Sequence, residues 1–153
     1  MELILWRHAD AENGKDDQKR ELSDKGRRQA ARIAAWLRPR MHGEWLVLAS
    51  PALRAVQTAA ALDHKFDTRL TLNTDSNPSA ILREAHWPDG SRNVIVVGHQ
   101  PTLGQLAARL LTDQHGDLSI KKGAVWWFSS SEDDESGSAT SLRAVMAPDL
   151  AED

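Results

Sequence analysis

Three short apolar runs, each followed by a helical segment, constrain the fold of this chain more than any other feature. The runs cover residues 3–6, 45–49 and 93–98, and polar residues or turn formers bound each of them. Apolar runs of this length predict buried β-strands. The third contains four consecutive β-branched residues, Val94 to Val97, which is typical of a parallel sheet. Strands that alternate with helices predict an α/β fold with a mainly parallel sheet and helices on both faces.

The segments around these strands complete a predicted single three-layer domain over residues 1–153. After a Ser23 N-cap, Ala30, Ile33, Ala34 and Leu37 recur at the spacing of one buried helical face. The other predicted elements are a loop over 13–22, helices over 52–62, 79–87 and 102–111, an edge strand over 68–72, and a C-terminal antiparallel hairpin with strands over 124–130 and 142–146 around a solvated acidic segment, 131–138.

Charge and composition exclude several classes of protein. The net charge of −3 lacks the basic excess with which proteins coat nucleic acid. The chain has no cysteine, which excludes disulfides, thiolate metal sites and a cysteine nucleophile. No apolar run approaches the roughly 18 residues that span a membrane, and no segment has the pattern of a secretory signal. We therefore expect a cytoplasmic protein that binds neither nucleic acid nor membranes.

Residues that can bind phosphate follow all three predicted core strands. Arg7 and His8 end the first strand, Arg54 lies in the first turns of the helix after the second, and His99 follows the third. Because the carboxyl ends of parallel strands share one edge of a sheet, these four side chains should converge. Guanidinium groups bind phosphate oxygens with two hydrogen bonds and stay charged. A helix N-terminus after His99 would add backbone N–H donors, so the pattern predicts a phosphate site.

These residues resemble the histidine phosphatase superfamily, also called the phosphoglycerate mutase-like fold. The short chain is most similar to its SixA-type phosphohistidine phosphatase branch. The likeness extends from residue 4 to about residue 104, and its four blocks occur in the order of the family. The blocks are Leu-Trp-Arg-His-Ala-Asp-Ala at 5–11, Leu-Ser-Asp-Lys-Gly-Arg-Arg-Gln-Ala at 22–30, Ala-Ser-Pro-Ala-Leu-Arg-Ala-Val-Gln-Thr-Ala at 49–59 and Val-Val-Gly-His-Gln-Pro-Thr-Leu-Gly at 96–104.

The resemblance implies that His8 is the nucleophile and becomes transiently phosphorylated. It also implies that Arg7, Arg54 and His99 bind the phosphoryl oxygens and stabilise the transition state, with no metal and no other cofactor. The physical chemistry agrees, because phosphoryl transfer needs an in-line nucleophile and positive charge around the equatorial oxygens. An imidazole near neutral pH already has a free lone pair and needs only control of its tautomer.

The interval between Arg54 and His99 bears on the substrate. The predicted elements fill this interval and leave no space for the helical lid that sugar-phosphate members of the family insert there. The pocket should therefore be shallow and open. An open pocket fits the surface of a phosphorylated protein better than a small metabolite that must be enclosed. We expect a phosphorylated protein as the partner.

The missing lid also removes the usual position of the family's general acid, a glutamate. Asp75 is the nearest candidate in the corresponding loop, and Asp10, Glu12 and Glu84 are weaker candidates. A phosphate ester expels a strongly basic alkoxide that needs a proton, whereas phosphohistidine expels an imidazole whose conjugate acid has a pKa of about 6.5. A phosphatase with a weak acid should therefore prefer phosphohistidine on a protein to aliphatic esters.

Other interpretations of the same residues stay open at the level of sequence. A metal-dependent phosphoesterase would use His8, Asp10 and His99 as ligands, because residues two positions apart on an extended chain share a face. A phosphatase of the same fold could act on small phosphate esters, and a non-catalytic module could bind phosphoprotein. We expect Ser50 to cap the next helix, with Pro51 in its first position. The histidines expected on the surface are His42, His64, His86 and His115.

Overall fold

Six strands form one mixed sheet in the computed structural model, which describes residues 1–133 and 137–151. The strands are β1 (Glu2–Arg7), β2 (Trp45–Ala49), β3 (Asp67–Thr68), β4 (Asn93–Gly98), β5 (Val125–Asp133) and β6 (Gly137–Met146). The helices are α1 (Asp24–Leu37), α2 (Leu53–Ala60), α3 (Pro78–Ala85) and α4 (Thr102–Thr112), with 3-10 turns at Asp17–Lys19, Arg38–Arg40 and Leu70–Leu72.

The strand order in the sheet is β3-β2-β4-β1-β5-β6. The first four strands in this order run parallel, whereas β5 is antiparallel to β1 and β6 is antiparallel to β5. The predicted α/β architecture, with a mainly parallel sheet and a C-terminal antiparallel hairpin, is therefore confirmed. β1 and β4 are adjacent, and their carboxyl ends at Arg7 and Gly98 lie side by side.

Alternate side chains of the central strands point into two separate cores. Ile4 and Trp6 of β1 are fully buried in the core that contains α1 and α2. Leu3 and Leu5 are fully buried in the core that contains α3 and α4. This arrangement places helices on both faces of the sheet, as predicted. Each buried side chain of this kind contributes about 1.5–3 kcal/mol, so the centre of the sheet is strongly anchored.

None of the helices in residues 1–133 and 137–151 combines the length and the apolar character that crossing a bilayer requires.

α3 and α4 lie within two residues of their predicted bounds. α3 ends where His86 adopts a left-handed conformation with φ of 54°.

The prediction of an edge strand over 68–72 is wrong for most of that range. β3 contains only Asp67 and Thr68, which pair with Leu48 and Ala49 of β2. The chain then forms the 3-10 turn, which buries Leu72 in the core of α3 and α4 and leaves Leu70 81% exposed. The apolar burial of Leu72 outweighs the ladder hydrogen bonds that a longer edge strand would make.

The start of α2 also differs from the prediction. The helix begins at Leu53, and its N-cap is Ala52 without a side-chain hydrogen bond. The predicted Ser50 cap, with Pro51 in the first helical position, is therefore wrong. Ser50 is fully buried, and its Oγ accepts a hydrogen bond from Ala52 N at 3.2 Å and contacts His99. The contact with His99 explains why a serine is buried at this strand end.

The C-terminal hairpin is longer than predicted. β5 and β6 keep their pairing beyond the apolar residues, from Ser131 opposite Ala139 to Asp133 opposite Gly137. Polar residues continue the ladder there because this part of the hairpin extends beyond the core and Ser131 is exposed. Residues 134–136, within the acidic segment predicted over 131–138, lie outside the described residues.

Candidate active site

The register of β1 and β4 places two histidines next to each other at the carboxyl edge of the sheet. Arg7 pairs with Gly98, and His8 N donates a hydrogen bond to Gly98 O at 3.1 Å. The rings of His8 and His99, each directly after its strand, lie 5.2 Å apart between centroids. Arg54 reaches the same point from α2. The structure thus brings together Arg7, His8, Arg54 and His99, which we call the site cluster.

His8 is held in one tautomer by the backbone. Its Nδ1 lies 2.8 Å from Ala9 O, and because a carbonyl oxygen only accepts, Nδ1 carries the proton and Nε2 the free lone pair. The side chain is 7% exposed. Burial lowers the pKa of His8 to about 4, aided by the charges of Arg54 and Arg7 and opposed by the hydrogen bond to Ala9. The imidazole is therefore neutral near neutral pH, with Nε2 available as a nucleophile.

Arg54 binds the Nε2 side of His8. Its Nε donates to His8 Nε2 at 3.3 Å, and its Nη1 and Nη2 donate to Asp17 O and Oδ2 at 2.8 and 3.2 Å. One turn further along α2, Thr58 Oγ1 donates to Arg54 O at 2.8 Å and accepts from Ala9 N at 3.0 Å. These contacts tie α2 to the segment after His8. They fix a buried cation within hydrogen-bond range of the imidazole lone pair.

Asp17 is a site residue that the sequence pattern did not reveal. It lies in a 3-10 turn within the predicted loop over 13–22, and its Oδ1 accepts a hydrogen bond from Arg20 Nη1 at 3.1 Å in addition to the contacts with Arg54. The hydrogen bond from Arg20 and the charge of Arg54 lower the pKa of Asp17, so its carboxylate is ionised near neutral pH. An acidic residue in a polar loop has no periodicity that distinguishes it from solvated neighbours.

His99 is oriented by Ser50. Its Nε2 lies 2.7 Å from Ser50 Oγ, and because that oxygen already accepts from Ala52 N, its hydroxyl proton is available to His99 Nε2. Nδ1 is buried and has no hydrogen-bond partner within the described parts of the chain. Burial lowers the pKa of His99 to about 3, and the electrostatic effects of the neighbouring His8 and Arg54 add to this shift. His99 is therefore neutral as well.

Arg7 completes the site cluster at the end of β1. Its Nη1 donates to Ile120 O at 2.9 Å, whereas its buried Nε has no hydrogen-bond partner among the residues described. Burial lowers the pKa of the guanidinium, yet arginine remains a cation near neutral pH. Two cations and two neutral imidazoles at one sheet edge form a setting in which an anion can be bound beside a nucleophile.

A family model of the histidine phosphatase superfamily, branch 1, matches residues 3–89. The chain belongs to the histidine phosphatase superfamily. The matched region contains Arg7, His8 and Arg54, and the resemblance of the short sequence blocks to this family is confirmed. Family and fold together support a phosphatase that works through a histidine. Among curated proteins, none matches the sequence.

Solved SixA structures are similar to this histidine phosphatase over almost its whole length. A protein assigned as the phosphohistidine phosphatase SixA of Nakamurella multipartitia has a TM-score of 0.78 and 26% identity, and the match covers 96% of this chain and 95% of that one. The protein histidine phosphatase SixA in complex with tungstate has a TM-score of 0.75 and 21% identity, with 97% of each chain covered. These matches confirm the predicted fold.

A phosphatase that is named for a different substrate has the same fold. The phosphoserine phosphatase of Entamoeba histolytica, solved in complex with 3-phosphoglyceric acid, has a TM-score of 0.70 and 15% identity. The match covers 95% of this chain and 96% of that chain. The same fold therefore occurs in a protein that is named for a different phosphorylated substrate.

No lid is inserted between Arg54 and His99 of this histidine phosphatase, as predicted. The interval, which is described throughout, contains only the rest of α2, then β3, a 3-10 turn, α3 and β4. The loop before α3 lies against the site through two contacts. Gln18, next to Asp17, donates to Asn73 Oδ1 at 3.1 Å, and Thr102 Oγ1, at the start of α4, donates to the carbonyl of residue 76 at 3.4 Å.

The carboxylates considered as general acids have different surroundings. Asp75 is exposed in the loop before α3, and Glu12 is exposed as well. Glu84 accepts a hydrogen bond from Thr71 Oγ1 at 2.7 Å and pairs with Arg69 Nε at 3.6 Å. Neither Asp75 nor Glu12 has a side-chain hydrogen bond or ion pair with the described residues. The surface histidines are exposed as expected: His42, His64, His86 and His115.

The structure does not assemble the metal ligands that the alternative interpretation requires. Asp10 Oδ2 accepts from Ser23 Oγ at 2.6 Å, and Asp10 Oδ1 pairs with Lys122 Nζ at 3.0 Å. The hydrogen bonds from Ser23 and Lys122 lower the pKa of Asp10, so it is ionised and engaged. Within residues 1–133 and 137–151, no group of three or more potential ligands, His8 and His99 included, could hold a metal ion.

Proposed function

We propose that this protein hydrolyses phosphohistidine on a partner protein and forms a phosphohistidine intermediate on His8. The observation that carries the proposal is the contact of Arg54 Nε with His8 Nε2, opposite an Nδ1 that is fixed by Ala9 O. A phosphoryl group that accepts the hydrogen bond from Arg54 Nε in place of His8 Nε2 would have its phosphorus next to the lone pair that is released. Arg7 Nε and His99 Nδ1, both buried without partners among the residues described, are donors to which phosphoryl oxygens could bind.

The reaction consists of two displacements at phosphorus. In the first, His8 Nε2 forms a bond to phosphorus while the N–P bond of the substrate breaks. The electron pair goes to the leaving imidazole, which departs neutral because its other nitrogen already carries a proton. In the second, a water oxygen bonds to phosphorus, the pair of the Nε2–P bond returns to His8, and the water protons leave with the phosphate and the solvent. Arg7, Arg54 and His99 stabilise the charge of the equatorial oxygens in both steps.

The preference for an N–P bond follows from the surroundings of the site. An imidazole with a conjugate-acid pKa of about 6.5 leaves without help, whereas an alkoxide needs a proton from the enzyme. We assign proton donation to leaving groups that need it to Asp75, the exposed carboxylate of the loop before α3. The absence of a lid between Arg54 and His99 favours a phosphorylated protein surface over an enclosed metabolite.

The similarity to SixA structures supports the same choice of substrate, and tungstate in one of them is an oxyanion of tetrahedral, phosphate-like shape. The second candidate is a phosphatase of small esters. It is favoured by the structural match with a phosphoserine phosphatase. The two candidates predict different leaving-group dependence, because only ester hydrolysis requires an efficient proton donor.

The test compares wild type, His8→Ala and the exposed-histidine control His64→Ala on a phosphohistidine protein and on an aryl phosphate. His8→Ala should lose at least about 1,000-fold in kcat/KM on both substrates, whereas His64→Ala should resemble wild type. Quenched reactions with 32P-labelled substrate should leave an acid-labile, alkali-stable label on wild type and none on His8→Ala. Activity should survive a chelator, because the two arginines supply the positive charge.

Three results would contradict parts of this proposal separately. The wild type is also assayed on an aliphatic phosphate ester. If its kcat/KM on this ester equals that on the phosphohistidine protein, the small-ester phosphatase is favoured. Binding of phosphoprotein without release of phosphate would indicate a non-catalytic module. Loss of activity with chelator and its recovery with a divalent cation would indicate metal-dependent chemistry.

A further inference from the structure

A cavity rich in positive charge adjoins the site cluster at Arg7. Its volume is about 600 Å³, and Arg7 belongs to its lining. We call it the basic groove, and its cations are Arg7, Lys25, Arg28, Arg32, Lys121 and Lys122. Arg7 thus lines the groove and also belongs to the site cluster. A ligand that fills the groove would therefore contact Arg7, the residue before His8 in the chain.

The charge of the groove departs from that of the whole chain. The protein has 19 basic and 22 acidic residues, yet among the described residues six basic side chains and two acidic ones, Asp10 and Asp149, line this cavity. Asp10 is neutralised by Lys122 and by the hydrogen bond from Ser23. Among the residues that the structure describes, no carboxylate pairs with Lys25, Arg28 or Lys121, and all three are exposed. Within the described part of the chain, Lys25, Arg28 and Lys121 therefore give the groove positive charge that Asp10 and Asp149 do not pair with.

The two walls of the groove are fixed relative to His8. The N-terminal end of α1 forms one wall, and it packs so closely on the segment after His8 that a Cβ on Gly26 would lie 1.9 Å from Asp10 O. Ser23 N donates to Asp10 O at 3.0 Å, and Asp10 N donates to Gln29 Oε1 at 2.9 Å. The pair between Asp10 and Lys122 joins the segment after His8 to the opposite wall. The positions of the cations are thus set by the same backbone that positions the nucleophile.

We infer that the basic groove binds an acidic segment of the protein that carries the phosphohistidine. This inference rests on the proposed function and specifies which phosphoproteins the site accepts. Long, exposed side chains on two walls are suited to carboxylates spread over a protein surface, whereas a small anion is usually enclosed by a few buried polar groups. Binding here would place acidic residues of the partner next to Arg7 while its phosphohistidine lies at His8.

The test uses phosphohistidine peptides of one length, flanked by glutamate, by glutamine or by lysine. Each exposed ion pair contributes a factor of about 1.4 to 5, so three pairs should favour the glutamate peptide over the glutamine peptide by about tenfold in kcat/KM. The lysine peptide should be the poorest substrate. The preference should shrink strongly between about 0.05 and 0.5 M salt, because screening weakens interactions between exposed charges.

The decisive variant is Lys25→Gln/Arg28→Gln/Lys121→Gln, which removes three cations of the groove. Its ratio of kcat/KM for the glutamate peptide over the glutamine peptide should fall from about ten to about one. The matched control Lys65→Gln/Arg83→Gln/Arg92→Gln changes the net charge equally at positions that do not line the groove, and its ratio should equal that of wild type.

Binding of the same peptides with a non-hydrolysable phosphonate in place of phosphohistidine separates this inference from the proposed function. If wild type hydrolyses none of the peptides but binds the glutamate analogue about tenfold more tightly than the glutamine analogue, the function fails and the groove inference stands. If it hydrolyses all three peptides equally, or if both triple variants keep the preference, the groove inference fails and the function stands. A single-stranded oligonucleotide is also tested as a competitor of the glutamate analogue. If it displaces the analogue as well as an unlabelled glutamate peptide does, the groove is a general polyanion site and the inference is overturned too.

Discussion

Mild acid should destabilise this protein strongly because of two buried histidines. The pKa values of His8 and His99 in the folded protein are about 4 and about 3, against 6.5 for an ordinary histidine. Below about pH 6.5 the unfolded chain therefore binds protons that the folded chain does not bind. The free energy of unfolding should fall as the pH decreases from 6.5 toward the pKa values of the folded protein.

The size of this effect follows from the two pKa differences. Between about pH 7 and pH 5, each histidine should reduce the free energy of unfolding by about 2 kcal/mol, and the two together by about 3–4 kcal/mol. Asp10 and Asp17 also have lowered pKa values, but carboxylates are already ionised in the unfolded chain at about pH 5 and add little. Such a loss is a large part of the roughly 5–15 kcal/mol that stabilises a typical domain.

Urea unfolding followed by tryptophan fluorescence at about pH 7, 6 and 5 measures this dependence. The buffers must contain no phosphate, because an anion bound to the folded state would stabilise it. The variant His8→Gln/His99→Gln should lose most of the pH dependence, whereas the exposed pair His42→Gln/His64→Gln should retain it. A free energy of unfolding that is flat over this range, or an unchanged slope in His8→Gln/His99→Gln, would refute the assignment of two neutral imidazoles.

Three substitutions test the contacts around the site. Arg54→Lys should lower kcat/KM for phosphohistidine by about 100-fold in a phosphate-release assay, because an ammonium lacks the planar fork of a guanidinium; a rate near that of wild type would contradict its role. Ser50→Ala should lower kcat about tenfold with little change in KM, because His99 loses the group that orients it. Gly26→Ala should lower the free energy of unfolding in urea by about 2 kcal/mol, because the new Cβ would collide with Asp10 O. Alanine favours helices, so a gain in stability would show that the close approach relaxes.

The convergence of four residues could be predicted from sequence because three strands could be located. Strands buried on both faces have continuous apolar runs, so the positions of Arg7, His8 and His99 at strand ends followed from a local pattern. Parallel pairing then requires those ends to meet at one edge. The placement of Arg54 could be predicted from its position in the sequence, a few residues after the second strand.

Asp17 and Ser50 could not be predicted for two different reasons. Asp17 reaches Arg54 across 37 positions from a 3-10 turn whose polar residues have no periodicity. Ser50 precedes a proline at a strand exit, a pattern that is also typical of a helix cap, and only the position of the His99 ring distinguishes the two roles. Side-chain contacts between loops depend on the finished fold. The basic groove could not be predicted for the same reason, since its cations come from the end of β1, from α1 and from residues 121–122, which are far apart in the chain.

The pairing of β1 with β4 limits how this enzyme can be altered. The distance between the rings of His8 and His99 is set by the pairing of Arg7 with Gly98, in strands whose side chains are buried on both faces. A slip of one residue would turn every side chain of a strand to the opposite face, so the distance between the rings cannot be adjusted in small steps. The 3-10 turn at Asp17–Lys19 and the loop before α3 have no such constraint. Directed evolution toward new substrates should therefore accumulate changes in this turn and this loop and leave the site cluster intact.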